Sequence, residues 1–484
     1  MTEPTTIITA IIFFLIDWLI KIAFIIYIPR KRNPSSAIAW LMVLFILPYV
    51  GIILFLLIGS PKLSKNRRNK QRYIHSLIDK NSPVKSNQFG SIDTNYINKI
   101  RPITELVYEL GRFHSLEGNK VKILPEYDKA IEDIVKEIDK AEDFVHIEYF
   151  IIALDNTTQA FFDAMERAVK RGVSVRLMFD AMGYRAYPRR KEMKQELTRI
   201  GVDWHTMLPI KLSRRGYNRP DLRNHRKIVV IDDKFAYIGS QNMVDRSYHR
   251  KDDIYYDELV AKISGPAINA CNAIFAGDWF TETGENISKE VNITKLAEKT
   301  GKTVIQMLPS GPNFDHANNA RLFANLIHSA EKKIVITNPY FVPNEAILDA
   351  VTSAALRGVE VILINSESMD QWMVGHAQRS FYEELLTAGV KIFLYKKPIL
   401  LHSKHMTIDN DIAVVGSSNM DIRSFELDLE CLMIAFDKGV VKDLEKVQKQ
   451  NLGRSRQISL NSWKKRSLWQ DFRDSISRLT SALQ

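Results

Sequence analysis

Two unbroken apolar stretches, Ile7 to Ile28 and Ala37 to Ile58, open the chain, and polar, basic residues follow them abruptly. Each stretch is 22 residues long, enough to span a hydrocarbon core of about 30 Å as a helix. The pattern predicts a two-helix transmembrane hairpin within residues 1–60. Asp17 and Lys21 interrupt the first stretch four positions apart on one helical face; a lone charge at mid-membrane costs a few kcal/mol, so the two are expected to pair. The opening MTEPTT has neither the basic start nor the small-residue cleavage site of a removable signal peptide. Residues 61–118 read as a basic linker with connecting helices, polar through about Asn98. Arg30, Lys31 and Arg32 lie between the stretches, and Lys62, Lys65, Arg67, Arg68, Lys70 and Arg72 follow the second with no acid among them. The larger cluster predicts a cell-membrane protein with two spans and a cytoplasmic body, and it suits anionic headgroups.

Beyond the linker the periodicity alternates between strand and helix, and it does so twice. Ala141 to Phe150 reads as a strand, and Phe161 to Asp180 as a helix ending near Gly172 and a second strand; Ala330 to Phe341 and Ala346 to Asn365 repeat that order. Tyr149-Phe150 aligns with Tyr340-Phe341 and Arg171-Gly172-Val173 with Arg357-Gly358-Val359, and each half then reaches a second Gly-Val pair, at Gly201 and Gly389. The fold class predicted is α/β: two pseudo-symmetric α/β sandwich domains, 119–295 and 296–484. A length of 484 residues suits about three units. Near the end, Trp469, Phe472, Ile476, Leu479 and Leu483 recur at helical spacing behind Trp463, Lys464, Lys465 and Arg466. An amphipathic helix is expected there, either packed on the second half or lying on a membrane.

The bulk charge, 67 basic against 56 acidic residues or +11, favours an anionic partner. Together with the apolar stretches it points to acidic lipid and away from nucleic acid. Cys271 and Cys431 stand far apart in apolar surroundings and read as buried, reduced thiols.

The chemistry lies in a duplicated motif. His225, Lys227, Asp232, Gly239, Ser240 and Asn242 recur with identical spacing as His402, Lys404, Asp409, Gly416, Ser417 and Asn419, 177 positions on. On a strand, residues two apart share a face, so each copy offers an imidazole beside an ammonium. Zinc fits poorly, since the ammonium would repel a divalent cation and His405 has no counterpart in the first copy. An anion fits well, with Ser240, Asn242, Ser417 and Asn419 as further donors to a phosphate. Two such clusters face to face suit in-line displacement at phosphorus: one histidine attacks, the other moves the proton, and lysines replace a metal in stabilising charge. Asp232 and Asp409 lie seven residues from their histidines, an odd number that turns them away to hold the turn after the strand. The acids that orient the imidazoles are expected at Asp257 and Glu430. The first copy also gains a segment: 24 positions separate Gly201 from His225, against 13 between Gly389 and His402. Lys211, Arg214, Arg215, Arg219, Arg223, Arg226 and Lys227 in that segment suggest an anion-collecting lip.

At these residues the chain resembles the phospholipase D superfamily and, within it, bacterial cardiolipin synthases with two motifs in one chain. The strings NPSSAIAWLMVLFILPYVGIILFLLIG, RNHRKIVVID, LPSGP, NPYFVP, LHSKHMTID, GSSNMDIRSFELDLE and SWKKRS carry the likeness from about Asn33 to the end. The resemblance implies phospholipase D-like domains that turn two phosphatidylglycerol molecules into cardiolipin and glycerol through a phosphohistidine, without metal or nucleotide cofactor. It implies His225 as nucleophile, His402 as acid/base, and Asp257 and Glu430 as orienting acids. Asn338 and the segment Asn365 to Asp370 depart from the family pattern and are expected to leave the motif donors untouched. A phospholipid-hydrolysing phosphodiesterase and a membrane-anchored phosphate-binding protein without turnover are the competing readings.

Overall fold

The computed structural model describes residues 4–32, 34–210, 218–248, 253–288 and 295–479. It separates into an amino-terminal unit, Met1–Leu63, and a body, Ser64–Gln484. In the first unit the stretch from Ile7 forms one helix, Pro4–Tyr27, in which Lys21 pairs with Asp17 at 2.7 Å. It is the one helix among the described residues long and apolar enough to cross a membrane. The second stretch departs from the expected single span. It breaks into Pro34–Ile46 and Pro48–Ile58, of 13 and 11 residues. Pro48 lacks the N–H that would continue the helix, and its ring pushes Leu47 out of helical geometry, to φ −132° and ψ 71°. The two short helices then approach closely: a Cβ at Gly51 would sit 3.0 Å from the Leu44 Cα, so glycine eases a tight contact there.

In the body the strands of the first half are β1 (Leu116–Leu124), β2 (Phe144–Tyr149), β3 (Ser174–Asp180), β4 (Asp203–Met207), β5 (Ile228–Ile231), β6 (Phe235–Gly239) and β7 (Val260–Ser264). Those of the second are β8 (Thr303–Ser310), β9 (Lys333–Thr337), β10 (Glu360–Ser366), β11 (Lys391–Tyr395), β12 (His405–Ile408), β13 (Ile412–Gly416), β14 (Asp428–Phe436) and β15 (Ser455–Ile458). The first half runs β1-β7-β6-β5-β2-β3-β4, and the second repeats it as β8-β14-β13-β12-β9-β10-β11, with β15 at the edge. Antiparallel pairing of β1 with β8 fuses the halves into one continuous sheet. Parallel neighbours such as β2 and β3, or β9 and β10, are joined by crossover helices, Gln159–Lys170 and Glu345–Leu356, whose apolar faces fill a core in each half. Gly172 and Gly358 close these helices at φ +88° and +90°, a left-handed turn that glycine adopts without steric cost.

The linker is part of the body. Helix Thr94–Gly111 puts Ile100, Ile103 and Val107 into the core of the second half. Helix Lys65–Asn81 docks through Arg67, whose guanidinium meets Glu282 at 2.5 and 2.7 Å, and through Lys70, which donates to the Thr281 carbonyl. Two members of the basic cluster expected to meet headgroups are therefore engaged in packing. Cys271 and Cys431 are buried free thiols, as expected.

Candidate active site

Each motif is stitched to the other half of the molecule. His225 follows the short strand Arg223–Asn224, which pairs in parallel with Asp428 and Leu429, and its N–H donates to the Leu429 carbonyl at 2.8 Å. His402 follows Ile399–Leu401, which pairs in parallel with Tyr255–Asp257, and its N–H donates to the Asp257 carbonyl at 2.7 Å. The next residue along each partner segment is the acid that meets the ring. Glu430 Oε1 lies 2.8 Å from His225 Nδ1, and Glu258 Oε1 lies 2.7 Å from His402 Nδ1. The first half thus holds the second half's histidine and the reverse.

This places the acid on His402 one residue beyond the expected Asp257. Side chains alternate along an extended segment, so Asp257 points to the other side, where its carboxylate accepts from the Tyr395 hydroxyl at 2.9 Å. Sheet register opposes Gly239 to Val260 and Gly416 to Leu432, which makes Glu258 the counterpart of Glu430, each directly preceding its apolar strand run.

Lys227 and Lys404 stand beside their histidines, as the spacing predicts, and each Nζ donates to the carbonyl of its own motif histidine at 2.7 Å. The serines depart from the expected phosphate-facing role. Ser240 and Ser417 hydroxyls accept the N–H of Leu259 and Cys431, at 3.0 and 3.1 Å, and Ser417 also donates to Glu430. They brace the acids. Asn242 accepts the Ile151 N–H at 3.2 Å and turns its amide toward the Tyr248 hydroxyl, while the buried Asn419 Oδ1 has no hydrogen-bond partner among the described residues.

The motif aspartates sit apart from the histidines, in keeping with the parity argument. Asp232 and Asp409 occupy left-handed turns at φ +49° and +51°. Asp232 accepts the N–H groups of Glu142, Asp143 and Phe144 at 2.9–3.1 Å, and Asp409 those of Glu331, Lys332 and Lys333 at 2.8–3.3 Å. Their work is to tie β5 to β2 and β12 to β9.

The described part of the basic insertion behaves differently from the expected lip. Lys211, Arg214 and Arg215 lie outside the described residues. Of the others, Arg219 pairs with Asp221, Arg223 is buried against Asp180 at 3.2 Å, and the fully buried Arg226 pairs with Asp278 and donates to the Glu430 carbonyl. These arginines brace the motif from behind.

Both family departures reach the site after all. Asn338 accepts the N–H of Met420 and donates to the Ser418 carbonyl, holding the turn that carries Asn419. Asp370 accepts the hydroxyls of Tyr340 and Tyr256 at 2.5 and 3.0 Å, and those rings stand edge-on to His402 with centroids 5.9 and 5.3 Å away. Phe150 stands edge-on to His225 at 5.1 Å. Sequence reading missed these aromatic walls because their segments are far apart along the chain.

Burial dominates the electrostatics. Desolvation first, then the neighbouring lysines, hold both imidazoles well below their ordinary range. Burial pushes Glu430 up to about 7 and Glu258 up to about 8, and lowers Lys227 to about 7 and Lys404 to about 8. The histidines differ in company. Both lysines act on both rings, but His225 also has Arg423 beside it, whereas at His402 the carboxylate of Asp370 partly opposes the lysines. A site of two neutral imidazoles, two acids and two ammoniums can bind a phosphodiester and deliver a nucleophile from one side and a proton from the other.

Comparison with known proteins follows the same outline. Residues 134–279 and 323–451 match the family described as cardiolipin synthase, PLD-like domain, and residues 9–60 match the phospholipase D-nuclease N-terminal family. Cardiolipin synthase A of Serratia proteamaculans is 33% identical over 446 residues, covering 91% of both chains, and that of Proteus mirabilis is 32% identical over 473 residues, covering 96% of both. Among solved structures, the phosphatidylserine synthase of Haemophilus influenzae shares the fold with a TM-score of 0.60 at 14% identity, covering 80% of this chain and all of that one. The two family matches fall one on each half of the pseudo-symmetric sheet, and the chain belongs to the family of cardiolipin synthases with phospholipase D-like domains.

Proposed function

We propose that this protein transfers a phosphatidyl group between two phosphatidylglycerol molecules, giving cardiolipin and glycerol, at the membrane to which helix Pro4–Tyr27 attaches it. The observation that supports this most directly is the crossed pairing of two buried histidines with two buried acids around a pair of ammoniums.

The Glu430 carboxylate accepts a hydrogen bond from Nδ1–H of the neutral His225 ring and fixes the tautomer whose Nε2 lone pair is free. Nε2 attacks phosphorus, an N–P bond forms, and the bond from phosphorus to the glycerol oxygen breaks. His402 gives its proton to that oxygen as glycerol departs, then takes the proton of the incoming phosphatidylglycerol hydroxyl, whose oxygen attacks phosphorus as the N–P bond breaks. Lys227, Lys404 and the Asn242 and Asn419 amides neutralise charge on the non-bridging oxygens. The difference in their surroundings supports this division: both rings rest neutral, and Asp370 makes it easier for His402 than for His225 to carry the proton in transit.

The test uses full-length protein in detergent with phosphatidylglycerol alone and a chelator present. Cardiolipin and glycerol in equal amounts are expected; phosphatidic acid as the main product overturns the transferase reading in favour of a hydrolase.

A further inference from the structure

The carboxyl-terminal helix Leu468–Leu479 is oriented against the usual rule. An amphipathic helix on a globular body normally buries its apolar stripe. Here Leu468, Trp469, Phe472, Ile476 and Leu479 are exposed, at 90, 65, 54, 48 and 79% of their surface, while Asp474 and Ser477 on the opposite side are buried at 2 and 4%. The buried side is anchored by polar chemistry. Asp474 accepts from His376 Nδ1 at 2.6 Å and pairs with Arg466, whose guanidinium stacks on Trp463 at 3.7 Å; Arg478 stacks on Phe381 at 4.4 Å. The helix is held firmly with its apolar stripe facing away from the protein.

The stripe is extended by helix Trp372–Ser380, the element it packs on, whose Trp372 and Met373 are 62 and 43% exposed. That helix begins two residues after Asp370, the group that fixes Tyr256 and Tyr340 around His402. Trp372 and Met373 therefore follow closely on a residue that holds one wall of the site. The segment Trp463–Leu479 also carries five basic residues against two acids. Contiguous exposed apolar surface with a basic flank fits an anionic bilayer: the rings enter the acyl boundary and the cations meet headgroup phosphates.

We infer that the stripe of helix Leu468–Leu479, with Trp372 and Met373, is the surface by which the catalytic body seats itself on an anionic lipid bilayer beside the mouth of the site. The choice of a bilayer as occupant rests on the lipid reading of the site, and the experiment reads contact separately from turnover.

Because Cys271 and Cys431 are fully buried, a single surface cysteine can be labelled selectively. Full-length Phe472→Cys and Leu479→Cys proteins, carrying an environment-sensitive fluorophore, are placed in vesicles of three parts phosphatidylcholine to one part phosphatidylserine, with Lys446→Cys on helix Lys438–Gly453 as control. Doxyl-labelled lipid should quench positions 472 and 479 at least twofold and leave 446 unchanged. Absence of selective quenching overturns the inference, as does label-to-label quenching independent of lipid, which would assign the stripe to a second copy of the chain. A Trp469→Ser, Phe472→Ser variant should lower the ratio of turnover on vesicle phosphatidylglycerol to turnover on a monomeric short-chain phosphatidylglycerol about tenfold. An unchanged ratio overturns the inference. Failure of the wild type to turn over the short-chain lipid would instead count against the reading of the site.

Discussion

Replacing Glu258 with glutamine and, separately, Asp257 with asparagine decides which of two adjacent acids serves His402. The Glu258 carboxyl meets Nδ1 at 2.7 Å in a buried site, and leaving a buried group without its hydrogen-bond partner costs about 1–3 kcal/mol. At about 1.36 kcal/mol per tenfold in rate, kcat for Glu258→Gln should fall roughly 5- to 150-fold. Asp257→Asn keeps an acceptor for Tyr395 and should stay within about threefold of wild type. Stability should move the other way. Burial raises the Glu258 carboxyl from 4.5 to about 8, so the folded state holds that proton more tightly than the unfolded chain. Below pH 4.5 both states are protonated and nothing is lost; between 4.5 and 8 the native state loses stability as pH rises, by a ceiling on the order of 5 kcal/mol. A neutral glutamine removes that loss, so Glu258→Gln should melt higher than wild type at pH 8 and alike at pH 4.5. Product formation by lipid chromatography and melting curves at the two pH values read both effects. Equal loss of kcat in the two variants, or a Glu258→Gln protein less stable at pH 8, refutes the reasoning.

Other consequences are equally direct. With radiolabelled phosphatidylglycerol and a denaturing detergent quench kept away from acid, which would cleave the N–P bond, His225→Ala should abolish the covalent phosphoenzyme while His402→Ala still accumulates it; label retained only in the His225 variant reverses the two roles. The kcat/KM profile should be bell-shaped near neutrality. Its acid limb lies near pH 7, because protonated Glu430 donates to Nδ1 and drives the imidazole proton onto Nε2, and its basic limb reflects loss of charge from Lys227 and Lys404. Glu430→Gln should move the acid limb, and an unchanged profile would count against its assignment. Arg226→Met strands the buried Asp278 charge and should cost about 3–5 kcal/mol in chemical denaturation; adding Asp278→Leu should restore much of it.

The duplicated motif was legible because its spacing is local: the histidines, the lysines and the turn role of Asp232 and Asp409 follow from strand alternation alone. The repeat of strand, helix and strand was legible for the same reason, since each half places its glycines and apolar runs in one order. What escaped depends on pairing between distant segments. Glu258 was displaced by one residue because the choice between adjacent acids is set by the register of β6 against β7, which no local pattern states. Ser240 and Ser417 looked like phosphate donors because a hydroxyl in the sequence does not reveal the acid or backbone group it meets. Arg223 and Arg226 looked like a surface lip because charge density gives no hint that Asp180 and Asp278 wait inside the fold. The second apolar stretch counted as one span because hydropathy averages over Pro48.

The crossed acids also set the time at which the protein becomes reactive. Glu430 lies 205 residues beyond His225, so during synthesis His225 emerges long before the carboxylate that aligns it. A chain halted or misfolded before β14 is inserted leaves His225 without its aligning acid and holds no competent nucleophile. An enzyme whose substrate is the fabric of its own membrane is thereby kept idle until its last large strand is in place.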